Sequence, residues 1–353
     1  MPTFTAKQIA EISQRVLVGA GTPPEDATIV GQELSLANLF GHDSHGIIRL
    51  KQYVDYIQVD VIKPGAAATT IVELGGIAVL DGGANFGQVT AHRALDLATT
   101  RAKEVGAYSV LCRNSNHVGR LGSYTQQGAE QGFACMMAVN GPGQGGGVAP
   151  WGAAERRMGT NPISIAAPRG DQPLVLDMTT SATAEGKVRV ALQKGEALPE
   201  GWIMDGAGQP STNPADLYGN PEEGIKPGAI LPLGGPMGFK GFGMGVMMDV
   251  FCGMLSGYGV ARADLPPGTN GIWLYVVDIA QVSPEFGDWM EHYVDHLKST
   301  LRQPDVAEIL LPGEIENGRR AVREQEGIEV PDGTWQQTLD LAESLGVSLA
   351  EWE

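Results

Sequence analysis

The chain has 353 residues, 42% hydrophobic and 18% charged, with 41 acidic against 24 basic side chains and a formal net charge of -17. That length supports two packed domains, and an acidic balance with no basic stripe argues against a nucleic-acid partner. No apolar run approaches the roughly 18 residues of a membrane span, the N-terminus lacks a signal-peptide core, and Cys112, Cys135 and Cys252 are isolated, so a cytoplasmic protein with reduced thiols and no membrane partner is expected.

Thr5 reads as the N-cap of a helix over 6–19, and 25–40 carries Val30, Leu34 and Ala37 at helical spacing. A third helix is expected over 47–57, before Pro64-Gly65 breaks the pattern. A different rhythm follows. Strands are expected at 77–80, 108–112, 133–139, 174–176 and 273–277, with helices at 89–105 and 122–131 between the first of them. The Gly-, Pro- and Asp-rich stretch 193–236 reads as long loops, of the kind that often carry function. From residue 285 the pattern is again helical, punctuated by Pro312-Gly313 and Pro331-Asp332-Gly333. The fold class is therefore α/β, of mixed α+β type: a helical domain of residues 1–72 joined by C-terminal helices in 281–353, and a larger sheet-containing α/β domain over 73–280.

The richest segment is 41–50 (GHDSHGIIRL), followed by Tyr53. On a helix, His45, Arg49 and Tyr53 fall at i, i+4 and i+8 and form one stripe. A proton donor, a guanidinium for a carboxylate and a hydroxyl would then face one way, as a small carboxylated substrate requires. The plainer alternative is a polar helix start with ordinary surface charges. Downstream, 114–119 (NSNHVG) puts His117 in a polar loop at a strand's end, where catalytic side chains are common. Residues 177–181 (DMTTS) follow a strand; their hydroxyls and backbone N–H groups suit phosphate or ribose oxygens, or alternatively cap a helix from Ala182. In 233–243 (LGGPMGFKGFG) a glycine-rich turn with Lys240 at its mouth feeds an apolar helix, which suits a pyrophosphate. Two glycine runs are rejected as Rossmann fingerprints. Residues 141–146 (GPGQGG) are not followed by a helix, and 82–87 (GGANFG) has Ala84 at its third position with no acid ending a second strand at the expected distance.

The segment 41–50 with Tyr53 resembles the malate/L-lactate dehydrogenase type 2 family, which includes ureidoglycolate, sulfolactate, diketogulonate and piperideine-2-carboxylate oxidoreductases. The resemblance runs on through 114–119, 150–152 (PWG), 159–162 (GTNP), 177–181, 198–202 (LPEGW), 212–214 (TNP), 233–243, 312–314 (PGE) and Arg319-Arg320. It departs at Glu185, where many members carry Arg, and at 236–238, which is longer than in many members. The resemblance implies a non-Rossmann fold, NAD or NADP as cofactor, a homodimer and no metal. It implies cofactor contacts from Asn161, Asp177, Met178, Thr179, Thr180, Ser181, Lys240, Gly241, Gly313, Glu314 and Arg319, and it puts His117 beside nicotinamide and substrate.

The function expected is hydride transfer between NAD(P)H and the keto or imino carbon of a small 2-oxo carboxylate. Arg49 would clamp the carboxylate, while Ser44 and Tyr53 orient the substrate oxygens. Two histidines compete for the proton. His117 is placed first as general acid–base, with the Asn114 and Asn116 amides fixing its tautomer, and His45 second, holding the substrate oxygen. The competing reading is a metal-dependent enzyme using His42, Asp43, His45 and His117, although His42 and His45 are not at a helical ligand spacing. A Ser-His-Asp hydrolase is weaker still, because Asp43, Ser44 and His45 are consecutive and their side chains diverge.

Overall fold

The computed structural model describes residues 1–141, 146–261 and 268–352. After a two-residue strand β1 (Thr3–Phe4), Thr5 starts α1 (Ala6–Gly19): its hydroxyl accepts from the Gln8 N–H at 3.2 Å, and the Gln8 side chain accepts from the Thr5 N–H at 2.8 Å. This reciprocal cap satisfies two otherwise orphaned donors. α2 (Pro24–Leu39) opens with proline and carries Glu25 and Asp26 in its first turn, where negative charge complements the helix dipole.

The expected helix over 47–57 begins later. Residues Asp43–His45 and Ile47–Arg49 form two 3-10 turns, and α3 runs over Leu50–Gln58. Gly46 breaks the helix: its ψ of -152° is extended, and a Cβ there would overlap the Asn38 side chain at 2.1 Å. Asn38 holds the break open, accepting from the Ile47 N–H at 2.9 Å and donating to Asp43 at 2.8 Å. The single helical stripe of His45, Arg49 and Tyr53 therefore does not exist.

The central sheet is built from β2 (Thr69–Leu74), β3 (Ile77–Asp81), β4 (Ala107–Asn116), β5 (Phe133–Asn140), β6 (Ile163–Ala167), β7 (Leu174–Met178) and a late strand, Thr269–Asp278. Helices α4 (Gly87–Val105) and α5 (Gly122–Glu130) lie on one face and bury Ala94, Leu95 and Ala98 against Val110, Cys112, Met137, Leu274 and Val276. Past β7 comes α6 (Glu185–Lys194), then three short strands, β8 (Ile203–Met204), β9 (Pro210–Ser211) and β10 (Ala229–Ile230), in the order β10-β8-β9. This small lobe stands where long loops were expected. Its core of Val188, Leu198, Ile203, Leu217 and Ile230 rests on strands too short to show alternation. α7 (Phe239–Met248) continues as a π-helical turn over Asp249–Met254, and the late strand over 269–278 is β11. The sheet order is β2-β3-β4-β11-β5-β6-β7, and β3–β4 is its parallel pair among the described strands. The C-terminal part adds α8 (Ile279–Val282), α9 (Phe286–Lys298), α10 (Glu314–Glu326), β12 (Ile328–Glu329) and α11 (Asp332–Ser344). β12 pairs with β1, and Ile328, Trp335 and Leu341 join the core formed by Ile9, Ile12, Val30, Leu34 and Leu50.

The mixed, largely antiparallel sheet excludes a Rossmann layout. Residues 142–145 of the first rejected glycine run lie outside the described residues. In the second run, a Cβ on Gly87 would lie 2.1 Å from the Asn116 carbonyl and 2.4 Å from that of His117. The start of α4 is thus pressed against the loop carrying His117.

Candidate active site

Three segments converge: the 3-10 turns before α3, the loop after β4, and the start of α4. His45 and His117 stack with ring centroids 5.4 Å apart at 22°. The Ser44 hydroxyl lies 2.9 Å from His45 Nδ1. The Tyr53 hydroxyl lies 2.8 Å from His117 Nδ1, and the Gln88 amide donates to that hydroxyl at 2.7 Å. Tyr53 therefore sits behind His117. The amides expected to fix the His117 tautomer are employed elsewhere. Asn114 donates to Asp81 at 3.0 Å, and Asn116 donates to the Ala84 and Val61 carbonyls at 2.7 and 3.1 Å. They pin the loop; Tyr53 touches the ring.

Arg49 curls back over its own turn. Its Nε donates to the Ser44 carbonyl at 2.6 Å and Nη1 to Gln52 at 2.7 Å. No carboxylate pairs with it among the described residues. Burial and this uncompensated charge act on the histidines. His45 is pushed down to about 3, by burial first and Arg49 second, and His117 falls well below the usual imidazole range for the same reasons. Burial pushes Tyr53 up to about 12. Near neutrality both rings are therefore uncharged and Tyr53 keeps its proton.

His42 belongs to the same cluster. Burial, followed by the charges of Arg120 and Arg319, lowers it to about 4. These depressed values have a consequence for stability. Below the unfolded value of 6.5 the unfolded chain takes up protons that folded His42, His45 and His117 refuse. Stability should therefore fall as pH drops from about 6.5 and continue to fall until pH passes the folded values, at about 1.4 kcal/mol per unit of separation for each group. Urea unfolding at pH 7 and pH 5 measures the slope, and His42→Gln should flatten it.

Of the four residues in the metal-dependent alternative, Asp43 is already engaged by other side chains. Asp43 is gripped by Arg323, with Nη1 at 2.7 Å and Nη2 at 3.0 Å from its two oxygens, and it also accepts from Asn38. Among the described residues no three His, Cys, Asp or Glu side chains converge to hold a metal.

The residues expected to meet the cofactor lie on both sides of the end of β7. On one side Asp177 accepts from the Gly122 N–H at 2.8 Å and faces Arg120, whose guanidinium is 4.0 Å away and stacks on Phe40 at 4.2 Å. Burial raises the Asp177 carboxyl, while Arg120 and the Gly122 N–H oppose that rise. Gly313 abuts Val175 at a φ of 92°, and Arg319 lies against Gly41. Three polar atoms in this region, Arg120 Nε, His42 Nε2 and Ser123 Oγ, are buried without a hydrogen-bond partner, although Arg120 Nε and His42 Nε2 each have a carboxylate oxygen 4.0 Å away, on Asp177 and Glu316. Such orphaned groups fit a polar ligand lying against this edge. On the other side Thr180 donates to the Thr160 carbonyl and accepts from the Leu233 N–H at 3.0 Å, and Gly241 packs on both Thr180 and Leu233. Lys240 is exposed in the first turn of α7, so the helix expected after the glycine-rich turn already begins at Phe239. Met178 ends β7; the Thr179 and Ser181 hydroxyls donate to the Ser181 and Thr183 carbonyls. Asn161, at a φ of 38°, donates to the Gly245 carbonyl and to Asp249, both at 2.9 Å, and ties β6 to α7. Glu314 pairs with Lys298 at 2.8 Å and Arg169 at 3.1 Å, which holds its carboxyl below the usual range against an opposing burial effect.

Arg120, Gln88 and Asn38 were missed at the sequence level. Arg120 directly follows the 114–119 segment, and a charge beside a glycine-rich loop was a usable signal. Nothing in the sequence marks Gln88, whose partner Tyr53 lies 35 residues away.

The mixed sheet, the stacked neutral histidines and the guanidinium beside them define a dehydrogenase built outside the Rossmann plan. The chain belongs to the malate/L-lactate dehydrogenase family, whose model matches residues 4–338. It is 35% identical over 343 residues to a malate dehydrogenase of Pyrococcus horikoshii, covering 94% of this chain and 92% of that one. The sulfolactate dehydrogenase structure from Methanocaldococcus jannaschii superposes with a TM-score of 0.86 at 30% identity, covering 99% of each chain. The delta1-piperideine-2-carboxylate reductase structure from Pseudomonas syringae gives 0.83 at 28% identity, covering 97% of this chain and 100% of that one.

Proposed function

We propose that this protein moves a hydride between a nicotinamide cofactor and the keto carbon of a small 2-oxo carboxylate, giving the 2-hydroxy acid. The observation that carries this is Arg49: a guanidinium with no acidic partner among the described residues, set beside two stacked neutral imidazoles. A carboxylate on Arg49 places the adjacent carbonyl oxygen against the ring pair. His117 gives that oxygen its proton and His45, oriented by Ser44, holds it. Tyr53 contributes through His117. When bound, the cofactor supplies the hydride; the protein supplies placement and the proton. A cyclic or open 2-imino acid is the second substrate class, favoured by the likeness to the Pseudomonas reductase. The test is a screen of 2-oxo and 2-imino acids with NADH and with NADPH, following the absorbance of the reduced nicotinamide. Turnover confined to carboxylate-bearing compounds is expected, and no turnover with any of them would overturn the reading.

The cofactor is NAD or NADP, held between Asp177, Gly313 and Arg319 on one side and Thr180, Lys240 and Gly241 on the other. Exposed Lys240 at the start of α7 suits the phosphates. Lys240→Ala should weaken NAD(P)H binding by roughly 1.5–3 kcal/mol while sparing the fold. A fluorescence titration as tight as the parent's would remove Lys240 from the site.

Two parts are proposed, a helical unit of 1–72 with 281–353 and a sheet-containing unit of 73–280, supported by the separate hydrophobic cores. The protein is proposed to be a cytoplasmic homodimer. Three buried free cysteines fit a reducing compartment, and no helix among the described residues is long and apolar enough to cross a membrane. Phe239, Met244, Met247, Met254 and Leu255 are 41–56% exposed on α7 and just beyond it, an apolar surface suited to a second copy.

A further inference from the structure

We propose that Gln88 is a positioning residue: acting through Tyr53, it decides which ring nitrogen of His117 carries the proton. The inference rests on the reading above that His117 serves the substrate oxygen. Gln88 lies in the first turn of α4 and is 1% exposed, and Tyr53 is fully buried. The Tyr53 oxygen accepts from Gln88 Nε2 at 2.7 Å and lies 2.8 Å from His117 Nδ1. Tyrosine has one hydroxyl proton. With Gln88 as donor on one side, that proton goes to His117 Nδ1. The neutral ring then carries its own proton on Nε2, across the ring from Tyr53, where it can meet the substrate oxygen.

The circuit reverses when His117 takes a second proton. Nδ1–H must then donate to the Tyr53 oxygen, and the Tyr53 proton must turn to another acceptor. Gln88 Oε1 is buried without a partner. A half turn of the amide presents it to Tyr53 and completes the second circuit. The protons balance in both: Nε2 already carries one, so the second proton, drawn from solvent, is held on Nδ1; Nε2–H then passes to the substrate oxygen and leaves a neutral ring protonated on Nδ1, while Tyr53 keeps one proton and no charge throughout. An amide can serve both circuits because it is donor and acceptor in one group. A carboxylate serves only the second, and an alkyl group serves neither.

The other titratable groups facing this pair are Arg49 and His45 from the turns before α3, with Glu33 of α2 and Tyr124 of α5 acting at longer range. Arg49 opposes protonation of the ring. Glu33 is held by His92 at 2.9 Å and by Gln127 at 3.2 Å.

The test uses nitrogen-15 spectra of histidine-labelled protein, with the His117 signals identified by their loss in His117→Gln. The parent should show His117 neutral at pH 7 with the proton on Nε2. Gln88→Glu should move the proton to Nδ1 or charge the ring, raising its titration by one unit or more and shifting the kcat–pH profile with it. Gln88→Leu should leave a mixture of tautomers, lower kcat at least tenfold, and leave the Michaelis constant for the carboxylate within twofold. A parent ring protonated on Nδ1 alone would overturn the inference. So would a Gln88→Leu protein, folded by circular dichroism, whose His117 tautomer and titration match the parent's. Full activity in His117→Gln would instead remove the role of His117 itself, an outcome read separately from the spectra.

Discussion

Arg49→Lys should raise the Michaelis constant for 2-oxo acids by roughly 10–100-fold, the equivalent of about 1.5–3 kcal/mol, and leave NAD(P)H binding unchanged. The guanidinium spends Nε on the Ser44 carbonyl and Nη1 on Gln52, so its free edge is fixed in direction before substrate arrives. A lysine ammonium keeps the charge but not the planar fork, and it has no group at the Nε position to hold the Ser44 carbonyl. Two losses follow: a bidentate contact to the carboxylate becomes a point contact, and the turn carrying Ser44 and His45 loses a tether. The setting sharpens the effect, because a chain of net charge -17 repels small anions overall and must capture them with a local cation. Steady-state kinetics with a 2-oxo acid and with the matching ketone that lacks the carboxylate makes the measurement. Parent-like affinity in Arg49→Lys, or equal reaction of the ketone, would remove Arg49 from the substrate site.

The cast of the site was legible because polar residues crowd between Gly41 and Tyr53 and again between Asn114 and Gly119. Its geometry was not. Helical spacing put His45, Arg49 and Tyr53 on one stripe, whereas Asn38 splits the segment at Gly46, so that His45 stacks on the His117 ring and Tyr53 meets its Nδ1 edge. That break depends on a side chain in the preceding helix, and no local pattern reveals it. The helices were readable from capping and periodicity, as at Thr5 and Gln8. β2 escaped because every residue of it is exposed, so nothing alternates, and the two-residue strands of the small lobe are shorter than any periodicity. Exclusion of the Rossmann fold was legible from glycine spacing, and the largely antiparallel sheet, with β3–β4 as its parallel pair among the described strands, agrees with it.

His117→Gln should lower the rate of keto-acid reduction by about 10²–10⁴-fold and abolish the pH dependence that belongs to proton delivery. His45→Gln should cost rate as well but keep that dependence. The two rings stack 5.4 Å apart and feel the same Arg49, so depressed basicity alone does not separate them. Their partners do. His45 Nδ1 meets Ser44, a single exchangeable hydroxyl, whereas His117 Nδ1 meets Tyr53, itself tied to Gln88 in a buried chain that can rearrange as the ring gains and loses its proton. Substrate binding should assist. A carboxylate on Arg49 cancels the charge that helps hold His117 down, so its basicity rises in the complex. The limb seen in kcat should therefore lie at higher pH than the limb seen in kcat/KM, since the first reports the bound enzyme and the second the free one. In His117→Gln that pair of separated limbs should vanish; in His45→Gln it should survive. Loss of the limbs in His45→Gln with their retention in His117→Gln would hand the proton to His45 and leave His117 as the ring that holds the substrate oxygen.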